Sequence, residues 1–275
     1  ALHCVVVTAS TARIVDLSLP RVQSALDGLR ADLDVAALTR GGPMAEVIAR
    51  SLDARLAVLD AELLAPVRGS ARQLVVTAPG ILAGVPWAML AGTHGTPFTL
   101  ATSVSRWSAD RQHPGEIGTR IGFAAGPRVP RAGEEIRQAA AAWGASPVQL
   151  HGPEATVSAV TTLAGTTDLL HIAAHGRHAV DNPLFSGFEL ADGTLFGYDV
   201  DLIPTVPDSV ILSACELGRS SVRWGEEALG MTRVWLHAGT RCVIAAPVVV
   251  PDDVACELLG AVHDELAGGA TPAAA

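Results

Sequence analysis

The sequence predicts an α/β fold in which helices cover both faces of a mostly parallel central sheet. Short apolar runs that suit strands alternate with longer segments whose apolar residues recur at the helical period of about 3.6 residues. Three runs in the second half are apolar almost throughout, at residues 168–174, 209–214 and 241–246. Such runs are typical of strands buried on both faces, and strands that alternate with helices form parallel sheets.

The first half of the chain is predicted to combine short strands with two helical segments. Strands are expected at residues 2–8, 12–16 and 73–78. Helices are expected at 20–33 and at 44–64, because apolar residues lie along one face of each segment.

The second half is more regular. A helix at 225–238 is expected to end at Gly239, because glycine commonly follows the last helical turn. Loops and a short hairpin are expected within 177–207, with Asp192 and Gly193 in the hairpin turn. The remaining predicted elements are a strand at 120–125 and helices at 132–143, 155–163 and 252–267.

Composition and charge limit the classes of protein to which the chain can belong. Of its 275 residues, 49% are hydrophobic and 17% are charged, which is enough apolar material for a large core and argues against intrinsic disorder. No apolar run approaches the roughly 20 residues that a membrane-spanning helix needs. The formal net charge of −9 disfavours nucleic acids and anionic membranes, so neither is expected as a partner.

Two residue types narrow the chemistry further. All 19 basic residues are arginine, and the absence of lysine excludes both a phosphate-binding loop that ends in Gly-Lys and Schiff-base catalysis. The four cysteines are too few for a disulfide scaffold, so we expect free thiols in a reducing cytoplasm. The chain begins at Ala1 without a start methionine or a signal peptide, and we expect it to be a piece of a longer protein.

Reactive side chains follow two of the predicted buried strands. The run at 168–174 leads directly to His175 and Gly176, and the run at 209–214 leads to Cys215. If these strands are parallel neighbours, both side chains emerge at the same edge of the sheet, where ligands gather in open α/β folds. An imidazole beside a thiol can take its proton and leave a nucleophilic thiolate. The N–H groups of Gly176 and Cys215 could then stabilise a developing oxyanion.

This pattern resembles the two signature blocks of CHAT domains, which are caspase-like domains of the clan that also contains caspases and separase. The blocks are HIAAHG at 171–176 and ILSACELG at 211–218. Three further stretches are similar to the family, namely LVVTAPGILAGVPWAML at 74–90, NPLFSGFELADG at 182–193 and GEEALGMTRVWLHAGTRCVIA at 225–245.

The resemblance implies a caspase-like fold, a function and a set of site residues. His175 would be the general base, Cys215 the nucleophile, and Gly176 an oxyanion-hole donor. The implied reaction is the hydrolysis of protein substrates through a thioester, without a metal or another cofactor. Members commonly stand behind tetratricopeptide or other sensor repeats, so an upstream region of the same polypeptide is the expected partner. We expect one such domain over 1–275, with a supporting half at 1–110 and a catalytic half at 111–275.

Two other functions remain open at this stage. A non-catalytic caspase-like module would bind partners through the same cleft without cleaving them. An enzyme of another class would need a different signature, but the sequence holds neither G-x-G-x-x-G after a strand nor G-x-S-x-G.

Other histidines also have alternative interpretations. His171 and His175 lie on the same face of a predicted strand, which makes a metal pair conceivable. The glutamate of H-E-x-x-H is absent, however, and a core or supporting role is the preferred interpretation for His171. His178 is the alternative base if His175 is misplaced.

The other cysteines and the nearby acidic residues are given lesser roles. The three remaining thiols are predicted to lie in the core, and the Pro86-Trp87 pair is predicted to be a core anchor. Glu216 is predicted to be a surface carboxylate, although acidic residues around the site make a basic substrate residue conceivable. The thiols are Cys4, Cys242 and Cys256, and the acidic residues are Asp181, Asp192 and Glu216.

Overall fold

The computed structural model describes most of the chain and divides it into two compact units. The described residues are 1–39, 41–67, 72–78, 80–82, 84–112, 117–144, 147–177, 183–213, 226–246 and 250–275. The first unit comprises Ala1–Thr102, and the second comprises Ser103–Ala275.

The first unit pairs short strands with helices. Strands β1 (Leu2–Val7) and β2 (Ala12–Leu17) form an antiparallel hairpin, as predicted. Strands β3 (Leu74–Val76) and β4 (Phe98–Leu100) form a short parallel pair. Trp87, between them in sequence, is buried as predicted for a core anchor. The helices are α1 (Leu19–Leu26), α2 (Leu29–Leu38) and α3 (Pro43–Leu63).

The prediction of one helix over 20–33 is wrong, because the segment contains the junction of α1 and α2. Gly28 lies at this junction with a φ of +77°, a left-handed conformation that glycine adopts without a steric penalty. A single α-helix cannot continue through that backbone conformation. The apolar stripe is preserved across the break, since Val22, Leu29 and Leu33 are all buried.

The second unit is built on a five-stranded parallel sheet, which confirms the predicted α/β class. Within the described residues its strand order is β12-β11-β7-β5-β6. Each of the three nearly continuous apolar runs forms one of these strands. The strands are β5 (Ile121–Ala125), β6 (Val148–Leu150), β7 (Leu169–Ala173), β11 (Ser209–Ser213) and β12 (Cys242–Ala245).

Helices cover both faces of this sheet, as the sequence predicts. Helices α5 (Ala132–Ala141) and α9 (Asp252–Ala267) share a core with Leu169 and other alternate strand residues on one face. Helices α6 (Val157–Ala164) and α8 (Glu226–Ala238) share the core on the other face. Leu169 and Leu170 belong to opposite cores, because successive side chains of a strand point to opposite faces.

The segment between β7 and β11 adds a small second sheet. Strand β8 (Gly176–Arg177) pairs with β9 (Gly187–Glu189), which pairs with β10 (Thr194–Phe196). The predicted hairpin is therefore confirmed, since Leu190 N–H donates to Gly193 O at 2.7 Å across its turn. A short helix, α7 (Gly197–Val200), follows β10 and was not predicted.

Other short elements also escape prediction. Strands β4 and β6 have only three residues each, and helix α4 (Val104–Gln112) carries no clear apolar stripe. None of the described helices combines the length and the apolar character needed to cross a membrane.

Candidate active site

Strands β7 and β11 are parallel neighbours, so their carboxyl ends lie together at one edge of the sheet. Ala173 is paired with Ser213, and Ala174 N–H donates to Ser213 O at 3.0 Å just beyond the paired strands. The predicted site required these two strands to be parallel neighbours, and they are. His175 follows one residue after this contact. The predicted residues Cys215, Glu216, His178 and Asp181 lie outside the described residues.

His175 is held by a backbone carbonyl from a neighbouring strand end. Its side chain is half-buried, and its Nε2 lies 3.0 Å from the carbonyl oxygen of Arg128. Because a carbonyl oxygen can only accept, Nε2 carries the proton in the neutral ring. The other ring nitrogen, Nδ1, is then the basic nitrogen.

Arg128 was not identified from the sequence, because it contributes through its backbone. It follows β5 and has a φ of +62°, an uncommon left-handed conformation for a residue with a side chain. Its guanidinium forms an ion pair with the carboxylate of Glu189 at 2.5 Å. Glu189 in turn donates its backbone N–H to His175 O at 2.9 Å.

Gly176 presents its N–H away from the small sheet. Gly176 lies opposite Phe188, and the preceding pair, His175 and Glu189, is joined by a backbone hydrogen bond. In an antiparallel ladder, hydrogen-bonded and non-hydrogen-bonded pairs alternate. The polar backbone groups of Gly176 therefore point away from β9 and make no ladder hydrogen bond with it.

Gly126 allows the turn that contains Arg128 to lie close to β7. Its N–H donates to Ala173 O at 2.8 Å. A Cβ added at Gly126 would lie 2.6 Å from both the Cβ of Ala174 and the carbonyl oxygen of Glu189. Only glycine fits this position without displacing backbone next to His175.

His171 is a core residue, as preferred from the sequence. Its side chain is completely buried, with Nε2 at 2.9 Å from Glu135 Oε1 and Nδ1 at 3.0 Å from His263 Nε2. Both ring nitrogens are therefore occupied, and the conceivable metal pair with His175 loses its support. Among the described residues, no group of three or more metal-ligating side chains is placed to hold an ion.

Trp143, His263, His171 and Glu135 form a buried cluster in which each side chain donates a hydrogen bond to the next. Trp143 Nε1–H donates to His263 Nδ1 at 3.0 Å, so the neutral His263 ring donates from Nε2 to His171. His171 consequently donates from its Nε2 to the carboxylate of Glu135. Burial, and secondarily an electrostatic interaction with the neighbouring His171, lower the pKa of His263 to about 2.

The three described cysteines are poor candidates for a nucleophile. Burial raises the pKa of the Cys4 thiol and that of Cys242, the latter to about 11. Cys256 is completely buried; burial raises the pKa of its thiol, and its Sγ donates to the side-chain oxygen of Gln138 at 3.4 Å. Because the thiolate is the reactive form, these raised pKa values disfavour a nucleophilic role. Cys256 lies in the core as predicted, whereas Cys4 and Cys242 are only partly buried, so the prediction of a core position is wrong for these two.

The acidic residue Asp192 has a local structural role. Its Oδ1 accepts the backbone N–H of Val157 at 2.8 Å, at the start of α6. This satisfies one of the free N–H groups of the helix. The carboxylate is therefore engaged at the helix end, which weakens the suggestion that it selects a basic substrate residue.

Three aromatic side chains, those of Phe185, Phe196 and Tyr198, form a cluster that is called the aromatic ladder below. Tyr198 stacks on Phe196 and meets the edge of Phe185, while the guanidinium of Arg177 lies over Phe196. Phe185 and Tyr198 are 54% and 42% exposed. The aromatic ladder therefore has solvent-exposed members, and Arg177, two residues after His175, lies over one of its rings.

Comparison with known proteins identifies one family. The model of the CHAT domain matches residues 47–275, which is well over half of the chain. The match includes both His175 and Cys215. No curated protein matches the chain.

Proposed function

Because the chain belongs to the CHAT domain family, whose members are caspase-like, we propose that it is a cysteine endopeptidase. In this proposal it hydrolyses peptide bonds of protein substrates through a thioester intermediate, using His175 and Cys215. No metal or other cofactor takes part.

The proposed reaction begins with transfer of a proton from the Cys215 thiol to Nδ1 of His175. The thiolate attacks the scissile carbonyl carbon, and the resulting tetrahedral intermediate collapses with cleavage of the C–N bond. The imidazolium gives its proton to the departing amine. A water molecule, deprotonated by His175, then attacks the thioester, and the C–S bond breaks to restore the thiol.

Backbone N–H groups would stabilise the negative oxygen of both tetrahedral intermediates. Gly176 is a suitable donor, because its N–H points away from β9 and lies in the residue next to the base. The N–H of Cys215 is proposed as the second donor, as in other acyl-transfer enzymes with paired backbone donors.

One observation carries the proposal, namely the parallel pairing of β7 with β11. It brings His175 and Ser213, which stands two residues before Cys215 in the sequence, to one sheet edge. The hydrogen bond from His175 Nε2 to Arg128 O adds support, because it leaves Nδ1 as the base. A regulatory partner in an upstream sensor region is proposed on the family resemblance, and a cytoplasmic location is proposed because the four cysteines are expected to be free thiols.

Peptide hydrolysis tests the proposal. The full chain is incubated with a positional-scanning library of fluorogenic peptides, beside the variants Cys215→Ala and His175→Ala. We expect cleavage by the wild-type chain and a loss of at least 1000-fold in kcat for either variant, of the size seen when a triad member is removed. Cys242→Ala is the matched control, because its thiol is kept protonated by burial.

Mass spectrometry of the quenched reaction distinguishes the proposed mechanism from the alternatives. A covalent adduct on Cys215 with the mass of the acyl fragment is expected early in turnover. Undiminished hydrolysis by Cys215→Ala would contradict the proposal. Peptide binding to wild-type and His175→Ala chains alike, without cleavage or adduct, would instead support the non-catalytic interaction module.

A further inference from the structure

We infer that the Arg128–Glu189 ion pair, together with the backbone of Gly126, positions the proposed general base. These three residues are called the clasp below. The clasp holds the Arg128 carbonyl against Nε2 of His175 and so keeps Nδ1 free to accept a proton. This inference rests on the proposed function, but its test includes measurements that do not depend on catalysis.

The first step of the argument is the backbone of Arg128. Its φ of +62° is disfavoured for a residue with a side chain, and such conformations persist only where surrounding contacts impose them. Here the conformation directs the carbonyl oxygen to His175, at 3.0 Å. Arg128, whose backbone conformation is disfavoured, is therefore the residue that fixes the orientation of the His175 ring.

The second step is that Glu189 contacts both partners of this hydrogen bond. Its carboxylate pairs with the guanidinium of Arg128 at 2.5 Å, and its backbone N–H donates to His175 O at 2.9 Å. The contacts form a closed ring through three residues. Displacement of Arg128 would therefore break a contact to a strand that is itself bonded to His175.

The third step is the close packing behind the turn. Gly126 lies against Ala174 and the carbonyl oxygen of Glu189, with no room for a Cβ. The turn cannot move towards β7, and the ion pair opposes movement away from it. An ion pair between partly exposed side chains contributes little to global stability. We therefore expect its loss to change the orientation and tautomer of the His175 ring and to leave the fold intact.

Three variants test the clasp. Glu189→Gln removes the charge of the pair and keeps the backbone hydrogen bond to His175. Arg128→Gly removes the guanidinium and accommodates the left-handed backbone without strain. The exchange R128E/E189R restores a pair with reversed charges. Arg106→Gln is the matched control, since it breaks an ion pair of similar exposure with Asp110 in α4.

The first measurement is the tautomer of His175, observed by nitrogen-resolved NMR of the side chain at neutral pH. We expect the Nε2–H form to dominate in the wild-type chain and in Arg106→Gln. Glu189→Gln and Arg128→Gly should show at least a threefold rise in the Nδ1–H population, and the exchanged pair should reverse most of it. An unchanged tautomer in both single variants would overturn the inference.

The second measurement is peptide hydrolysis. We expect each single variant to lower kcat about threefold to tenfold at constant KM, with recovery in the exchanged pair and unchanged unfolding temperatures. Single variants with wild-type kcat would overturn the inference. If the wild-type chain cleaves no peptide, the proposed function fails by itself, and the NMR measurement still decides whether the clasp orients the ring.

Discussion

Two histidines four residues apart show how hydrogen bonds separate a structural role from a chemical one. His171 is completely buried, and both of its nitrogens are occupied by Glu135 and His263. His175 is half-buried and uses Nε2 to contact Arg128. The same side chain can therefore serve as a link in the core at one position and offer a basic nitrogen at the other.

The buried cluster leads to a prediction about pH. The folded-state pKa of His263 is about 2, below the usual 6.5, so the unfolded chain alone binds this proton as the pH falls below 6.5. This residue should lower the free energy of unfolding by at most about 1.4 kcal/mol per pH unit through that range. His263→Gln keeps a donor for His171 and an acceptor for Trp143 but cannot be protonated. The free energy of unfolding of this variant should therefore fall less steeply with decreasing pH than that of the wild-type chain.

Urea unfolding at pH 7.5, 6.0 and 5.0 measures this difference. His237→Gln is the control, because His237 is an exposed position of α8. An identical pH dependence in the wild-type chain and His263→Gln would show that His263 takes up its proton in the folded state as well.

At the scale of secondary-structure elements, one arginine joins the three helices of the first unit. Arg55 in α3 donates to the carboxylate of Asp32 in α2 at 2.8 Å. It also donates to carbonyl oxygens at the end of α1, including those of Ser24 and Asp27. The side chain therefore satisfies groups that have no partner within their own helix.

Loss of this arginine should destabilise the first unit. We expect Arg55→Ala to lower its free energy of unfolding by about 1–3 kcal/mol, because several charge-assisted hydrogen bonds are lost together. Chemical unfolding of the full chain, followed by hydrogen exchange within α1, provides the measurement. The control is Arg50→Ala on the exposed side of the same helix, with an expected change within about 0.5 kcal/mol. Equal effects of the two substitutions would contradict the assigned role.

The aromatic ladder leads to a prediction about substrate binding. Tyr198 lies at its centre and contacts both Phe185 and Phe196. The ladder is connected to the base through Arg177, which lies two residues after His175 and over the ring of Phe196. An exposed aromatic surface favours apolar side chains of a substrate. We expect Tyr198→Ala to raise KM for peptides with apolar residues about fivefold and to leave kcat unchanged. Leu202→Ala, at a more exposed apolar position outside the ladder, should leave KM unchanged. A lower kcat in Tyr198→Ala would place Tyr198 in the chemistry instead.

For the molecule as a whole, the spacing of apolar residues in the sequence was enough to predict a central sheet covered by helices. The alternating apolar runs and helical stripes predicted the parallel sheet and the helices on both faces. Gly28 shows where periodicity fails, since a stripe of apolar residues continues across a break that depends on one backbone angle. Periodicity also failed to predict short strands such as β6, because three residues are too few to show an alternating pattern.

The candidate site was predictable where it consists of side chains at strand ends. The positions of His175 and Gly176 after a buried strand were predicted, and the parallel pairing of β7 with β11 was the condition for bringing His175 and Cys215 together. The contribution of Arg128 was not, because any residue type has a backbone carbonyl. Glu135 and His263 contact His171 from 36 and 92 residues away in sequence, and no local pattern indicates such contacts.

Alkylation of Cys215 tests most directly whether two neighbouring strands bring a thiol and an imidazole together. The rate of modification by iodoacetamide is measured for each cysteine by peptide mass spectrometry between pH 5 and 9. We expect Cys215 to react well below the pH at which a free thiol of pKa about 8.5 does, and His175→Ala to abolish this reactivity. Cys4, Cys242 and Cys256 should react slowly, because burial raises the pKa of each thiol. Slow reaction of Cys215 at the rate of the other three, with no effect of His175→Ala, would contradict the pairing of the two groups.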